Sequence, residues 1–138
     1  MSANGYNTSA NMIPDAGAVT VGASETNTVV SKVQRISGAD SKNLVCRIKT
    51  GALTDASADS SVIAKLQHRW SEAEDWQLVG SQAQVVLAAA TTWYSIALNI
   101  ENSSDEAQMP LAPLMRLVVT TDTGDSAVVS YVYFSQRR

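Results

Sequence analysis

"SVIAKLQHRWSEAEDWQLVG", residues 61–80, decides between sheet and helix. In its first ten residues Val62, Ala64, Leu66, His68 and Trp70 alternate with Ile63, Lys65, Gln67 and Arg69. A period of two sends alternate side chains to opposite faces of a strand, whereas a helix repeats every 3.6 residues. The alternation stops at "SEAED" and resumes at Trp76, which predicts a hairpin with an acidic tip. Trp70 and Trp76 bracket that tip, so a cross-strand aromatic pair is expected, worth about 0.5–1 kcal/mol beyond its burial.

The same period runs outward in both directions. "AVTVG" (18–22) and "TVVSKVQRIS" (28–37) read as strands. "NLVCRIKT" (43–50) points Leu44, Cys46 and Ile48 inward. "DWQLVG" and "AQVVLAA" are shorter pieces. "TWYSIALNIE" (92–101) turns Tyr94, Ile96, Leu98 and Ile100 inward, and "LMRLVVTT" (114–121) and "AVVSYVYFS" (127–135) close the chain. The last two are joined by "DTGD", 122–125, a turn that asks Gly124 for a positive φ. The other separators, "SGADSK", "GALTDASADS" and "NSSDEAQMPLAP", are equally rich in turn residues. About eight short strands without an amphipathic helix predict an all-β protein, an antiparallel sandwich or barrel, for which an eight-stranded jelly roll is one standard arrangement.

With 138 residues the chain suits one domain that buries roughly two thirds of its unfolded surface. The division expected is a flexible arm over residues 1–16, without periodicity, and a single sandwich over 17–138. Tyr6, Met12 and Ile13 are the arm's candidate contacts with a neighbouring molecule. Charged residues make up 17% of the chain and the net charge is −3. So little charge suits an exterior partly covered by partners. The basic residues are scattered, so nucleic acid is not an expected partner. Neither a membrane nor a secretory signal is indicated, since no apolar run is long enough, and synthesis in the cytosol is expected. The single cysteine, Cys46, lies in an alternating run and reads as a buried thiol.

Chemistry has few candidates. His68 is the only histidine, and Glu72, Glu74 and Asp75 are the nearest carboxylates. Acid–base or glycosidic chemistry needs such groups held in mutual reach, and turn acids at a hairpin tip are ordinarily solvated. "DASADSS" (55–61) lacks the acids of a calcium loop. No phosphate loop, nucleophile elbow or Cys/His cluster occurs, so no catalytic residue, metal or cofactor is expected. Trp70, Trp76 and Trp93 would make a sugar-stacking platform if they were exposed and coplanar. "QVVLAAATTWY" and "VVSYVYF" carry no charge and are candidates for burial between subunits.

"VIAKLQHRWSEAEDWQLVG", "TTWYSIALNIENSSDEAQMPL" and "APLMRLVVTTDTGDSAVVSYVYFSQRR" together resemble small virion β-sandwich proteins of tailed bacteriophages, over roughly residues 60–138. In size and texture the resemblance is to capsid decoration, or cement, proteins. It implies a jelly-roll-like sandwich assembling as a dimer or trimer on the outer face of the capsid. The partner it implies is the major capsid protein, and the location the virion surface. A tail, adaptor or fibre-associated sandwich module, or a carbohydrate-binding module, is the alternative role.

Overall fold

A computed structural model of the chain describes residues 6–36, 43–99 and 112–137. The architecture is all-β. Eleven strands fall among these residues: β1 Tyr6–Thr8, β2 Val19–Val21, β3 Thr28–Val29, β4 Gln34–Arg35, β5 Asn43–Thr54, β6 Ile63–Arg69, β7 Gln77–Leu78, β8 Gln84–Val86, β9 Trp93–Asn99, β10 Leu114–Thr120 and β11 Ser126–Arg137. All pair antiparallel, in two sheets. One sheet runs β1-β11-β5-β9, with β2 sharing the edge of β11 that β1 uses; the other runs β3-β10-β6-β7, with β4 beside β3 and β8 beside β7. Taking the short strands that share an edge as one lane, each layer is four lanes wide. In chain order the lanes read 1-8-3-6 and 2-7-4-5.

The core lies between the layers, where the alternation predicted it. Leu44, Cys46 and Ile48 of β5, Ala64 and Leu66 of β6, Ile96 of β9, Leu117 and Val119 of β10, and Val132 and Phe134 of β11 are buried together. Each large side chain removed from water there contributes about 1.5–3 kcal/mol. Tyr94 packs at the margin of that core, and its hydroxyl accepts from the N–H groups of Ala88 and Ala89. Ile100 lies outside the described residues. Gly124 has a φ of 79°, and Asp125 N donates to Asp122 O at 3.1 Å, so 122–125 forms the expected turn.

Two strands differ from expectation. The continuous strand expected over 28–37 is split into β3 and β4. Val29 pairs with Val118 and Gln34 with Met115, so five steps on one strand oppose three on the other. Ser31 occupies the excess: buried, it accepts the Leu117 N–H at 2.8 Å and donates to Lys32 O. The second strand, expected to stop at residue 50, continues to Thr54. Gly51 there does not turn the chain. It sits at a register shift against β11, where an added Cβ would stand 3.1 Å from Val128 Cγ1 and 3.2 Å from its Cβ.

Residues 6–16, expected as an arm awaiting a partner, lie against the chain's own last strand. β1 pairs with Ser135 to Arg137, Ser9 N donates to Phe134 O, and Met12 N to Val132 O. Met12 and Ile13 pack on the chain's own core, whereas the side chain of Tyr6 lies outside the described residues. Lys32 fastens the segment further, through its N–H to Met12 O and its ammonium to Asp15 at 2.6 Å.

Candidate functional site

The hairpin of 61–80 forms as a hairpin, but its aromatics work differently from the pair expected. β7 returns along β6, with Gln77 opposite His68 and Leu78 opposite Gln67. The tip is closed by Ser71 and Glu74: Glu74 N donates to Ser71 O, and Glu74 Oε2 accepts the Trp70 N–H at 3.0 Å. No ring contact joins Trp70 to Trp76 among the described residues, and Trp70 is 56% exposed. Trp76 instead folds back over the outer face of its sheet. The guanidinium carbons of Arg69 and Arg116 lie 4.4 and 4.3 Å from its ring centroid. Cations over an indole are attracted by its quadrupole, by about 0.5–2 kcal/mol each. Arg116 also donates to Gln67 Oε1, and Arg69 to Glu74 O. Partial burial, and then the neighbouring charge of Arg69, hold the Arg116 pKa below its ordinary value. Arg69 Nε is the one buried side-chain polar atom without a hydrogen bond among the described residues.

His68, the residue before Arg69 on β6, is half-buried. Its Nδ1 accepts the Ala112 N–H at 3.1 Å, which requires the neutral ring, and burial lowers its pKa. No ion pair joins it to a carboxylate among the described residues, and Glu72, Glu74 and Asp75 stand exposed at the tip. The histidine is occupied with backbone, and the acids with the turn and solvent.

The fold does bring a distant third carboxylate to two that share one loop. One oxygen each of Asp55, Asp59 and Asp125 lies within 4.8 Å of the others. Asp125 is the buried member, and it latches two loops: it accepts from the N–H of Ala56 and of Asp122, each at 3.1 Å, and from the Ser61 hydroxyl. The Ser61 bond, aided by those N–H groups against the cost of burial, lowers its pKa. Asp55 accepts from Asp59 N and Ser60 N. No sequence pattern could have united residues 55–61 with 125, because only the pairing of β5 with β11 makes them neighbours.

A second cluster of aromatic and basic side chains lies on the outer face of the other sheet. Position by position across three strands, Tyr131, Lys49 and Trp93 lie side by side, followed by Tyr133, Arg47 and Ser95. The three rings lean together over β5: Trp93 is 5.6 Å from Tyr131 and 6.0 Å from Tyr133, and the tyrosines are 6.0 Å apart, all edge to face. Arg47 and Lys49 lie 5.2 and 5.8 Å from the Trp93 centroid, and Arg47 donates to Ser95 Oγ at 2.6 Å. Trp93 and Tyr131 remain 39% and 36% exposed. The three tryptophans therefore do not share one platform, since Trp93 stands on a different sheet from Trp70 and Trp76. The signal for this face was present in the alternation: positions 47, 49, 93, 131 and 133 are out of phase with the buried set.

Charge is sorted by structure as well. Among the described residues every Asp and Glu lies in a loop, while strand charges are all basic. The only ion pair among them is the exposed Lys32–Asp15 contact. Among the described residues, no carboxylate pairs with the cations on the face of β5, β9 and β11.

Comparisons with models of protein families, with curated proteins and with solved structures find no match to this chain.

Proposed function

We propose that the protein is a non-enzymatic structural component of a bacteriophage virion, a cement protein that binds the outer face of the assembled capsid and stabilises it. The observation that carries this reading is the broad sheet face of Trp93, Tyr131 and Tyr133 with Arg47 and Lys49, which offers contact area to a partner. Trp, Tyr and Arg are the side chains that dominate protein interfaces. The order of lanes, 1-8-3-6 over 2-7-4-5, supports reading the sandwich as jelly-roll-like, in keeping with the likeness of residues 60–138 to small virion sandwiches. The partner is the major capsid protein, and the working form a dimer or trimer. A tail or adaptor module would use the same surface elsewhere in the particle.

A cement protein acts by binding the assembled lattice and not the free subunit, so that its binding free energy adds to the stability of the shell. Many copies on a symmetric shell multiply a modest affinity. The test is to mix the purified chain with bare shells and, separately, with unassembled capsid subunits. Pelleting with shells together with a raised shell melting temperature is expected. Equal affinity for the free subunits, or no pelleting, would refute the reading.

A further inference from the structure

The face of β5, β9 and β11 also specifies what it meets. Building on the cement reading, we propose that this face, centred on Arg47, Lys49, Trp93, Tyr131 and Tyr133, is the docking surface, and that its occupant is an acidic protein surface repeated over the assembled shell.

Three observations lead there. The rings are already locked edge to face, within 6.0 Å of one another, so little side-chain freedom is left to lose on docking. Among the described residues the cations between them have few partners: Lys49 lies by the Trp93 ring, and Arg47 by that ring and one serine hydroxyl. No described carboxylate forms an ion pair with them, and the described carboxylates all lie in loops. Water leaving this face on association would strengthen each cation's attraction to an incoming carboxylate. The opposite sheet is different. There Arg69 and Arg116 are closed over a half-buried Trp76 and donate to Glu74 O and Gln67, so the Trp76 ring is already used within the chain.

Aromatics with cations also suit a single-stranded nucleic acid. Magnitudes favour protein. Two phosphate contacts release about two counterions, too few for firm binding at physiological salt. A net charge of −3 repels a long polyanion further.

The test uses the full chain and nuclease-treated bare shells of the major capsid protein, with affinity read by co-sedimentation. The double reversal R47E/K49E is expected to weaken binding by roughly 100-fold or more, since it sets like charges against each other. The neutral R47Q/K49Q, which covers the case that the reversal does not fold, should weaken it by about 10-fold. R35E/K65E, an equal reversal on the other sheet, should stay within about 2-fold of the unaltered chain. Circular dichroism and urea midpoints establish folding for each variant. Shell binding that survives R47E/K49E or R47Q/K49Q unchanged overturns the proposal, as does binding lost in R35E/K65E instead. Binding that disappears when the shells are nuclease-treated overturns it in favour of nucleic acid. If the unaltered chain fails to pellet with either treated or untreated shells, the cement reading itself falls.

Discussion

Replacing Ser31 with alanine tests the reading of the split strand directly. Ser31 is buried where β3 gives way to β4, and its hydroxyl is the acceptor for Leu117 N at 2.8 Å. The excess residues between Val29 and Gln34 keep the ladder from closing over the gap, so Ser31→Ala leaves that N–H without an acceptor. A buried donor left unpaired costs about 1–3 kcal/mol. The second bond, to Lys32 O, adds little, because Lys32 is exposed and water replaces the donor. The expected loss is therefore about 2 kcal/mol. For a chain of this length that lowers the melting temperature by roughly 6–10 °C. Urea unfolding followed by tryptophan fluorescence should show a lower midpoint with an unchanged slope, since the surface exposed on unfolding is the same. Thr28→Ala is the control on the same lane, because its hydroxyl makes only a 3.5 Å exposed contact with Glu25. It should stay within about 0.5 kcal/mol of the unaltered protein. A Ser31→Ala stability equal to that of the control would refute the account of the bulge.

Three further outcomes follow from buried contacts. Gly51→Ala should destabilise by about 1–3 kcal/mol through contact with Val128, and Val128→Ala in the same chain should recover part of that loss in a double-mutant cycle. His68 has a lowered pKa because burial disfavours its charged form. The unfolded chain therefore binds the proton more readily, and stability present above the ordinary histidine pKa of about 6.5 declines as pH falls below it. Unfolding measured against pH in the unaltered chain and in His68→Gln should show that decline flattened in the variant. Burial pushes the Cys46 thiol well above its ordinary pKa, so a thiolate-specific reagent at pH 8 should label it only after unfolding. Rapid labelling of the folded protein would refute its placement.

The alternation in 61–70 and 43–50 was enough to read the strands and most of the core, because each side chain's face depends only on its neighbours in the chain. The break at Ser31 and the continuation through Gly51 escape the pattern for the same reason. A serine inside an apolar run looks like an ordinary outward position, and a glycine before a polar stretch looks like a turn. Both are settled by the strand opposite, Leu117 in one case and Val128 in the other. The tryptophans show the same limit. The bracket around residues 71–75 announced a hairpin, but the partners of Trp76 are guanidiniums, one of them Arg116, forty residues further on.

Sequence by itself determined that this chain forms antiparallel ribbons with alternate apolar side chains buried, because that pattern has a period of two and is written locally. Tertiary structure alone decided which ribbons adjoin, and with them the ring cluster over Lys49, the latch of Ser61 on Asp125 and the docking of residues 6–16 along β11. These contacts join residues tens of positions apart, and their geometry follows from the register between strands, which no local pattern encodes.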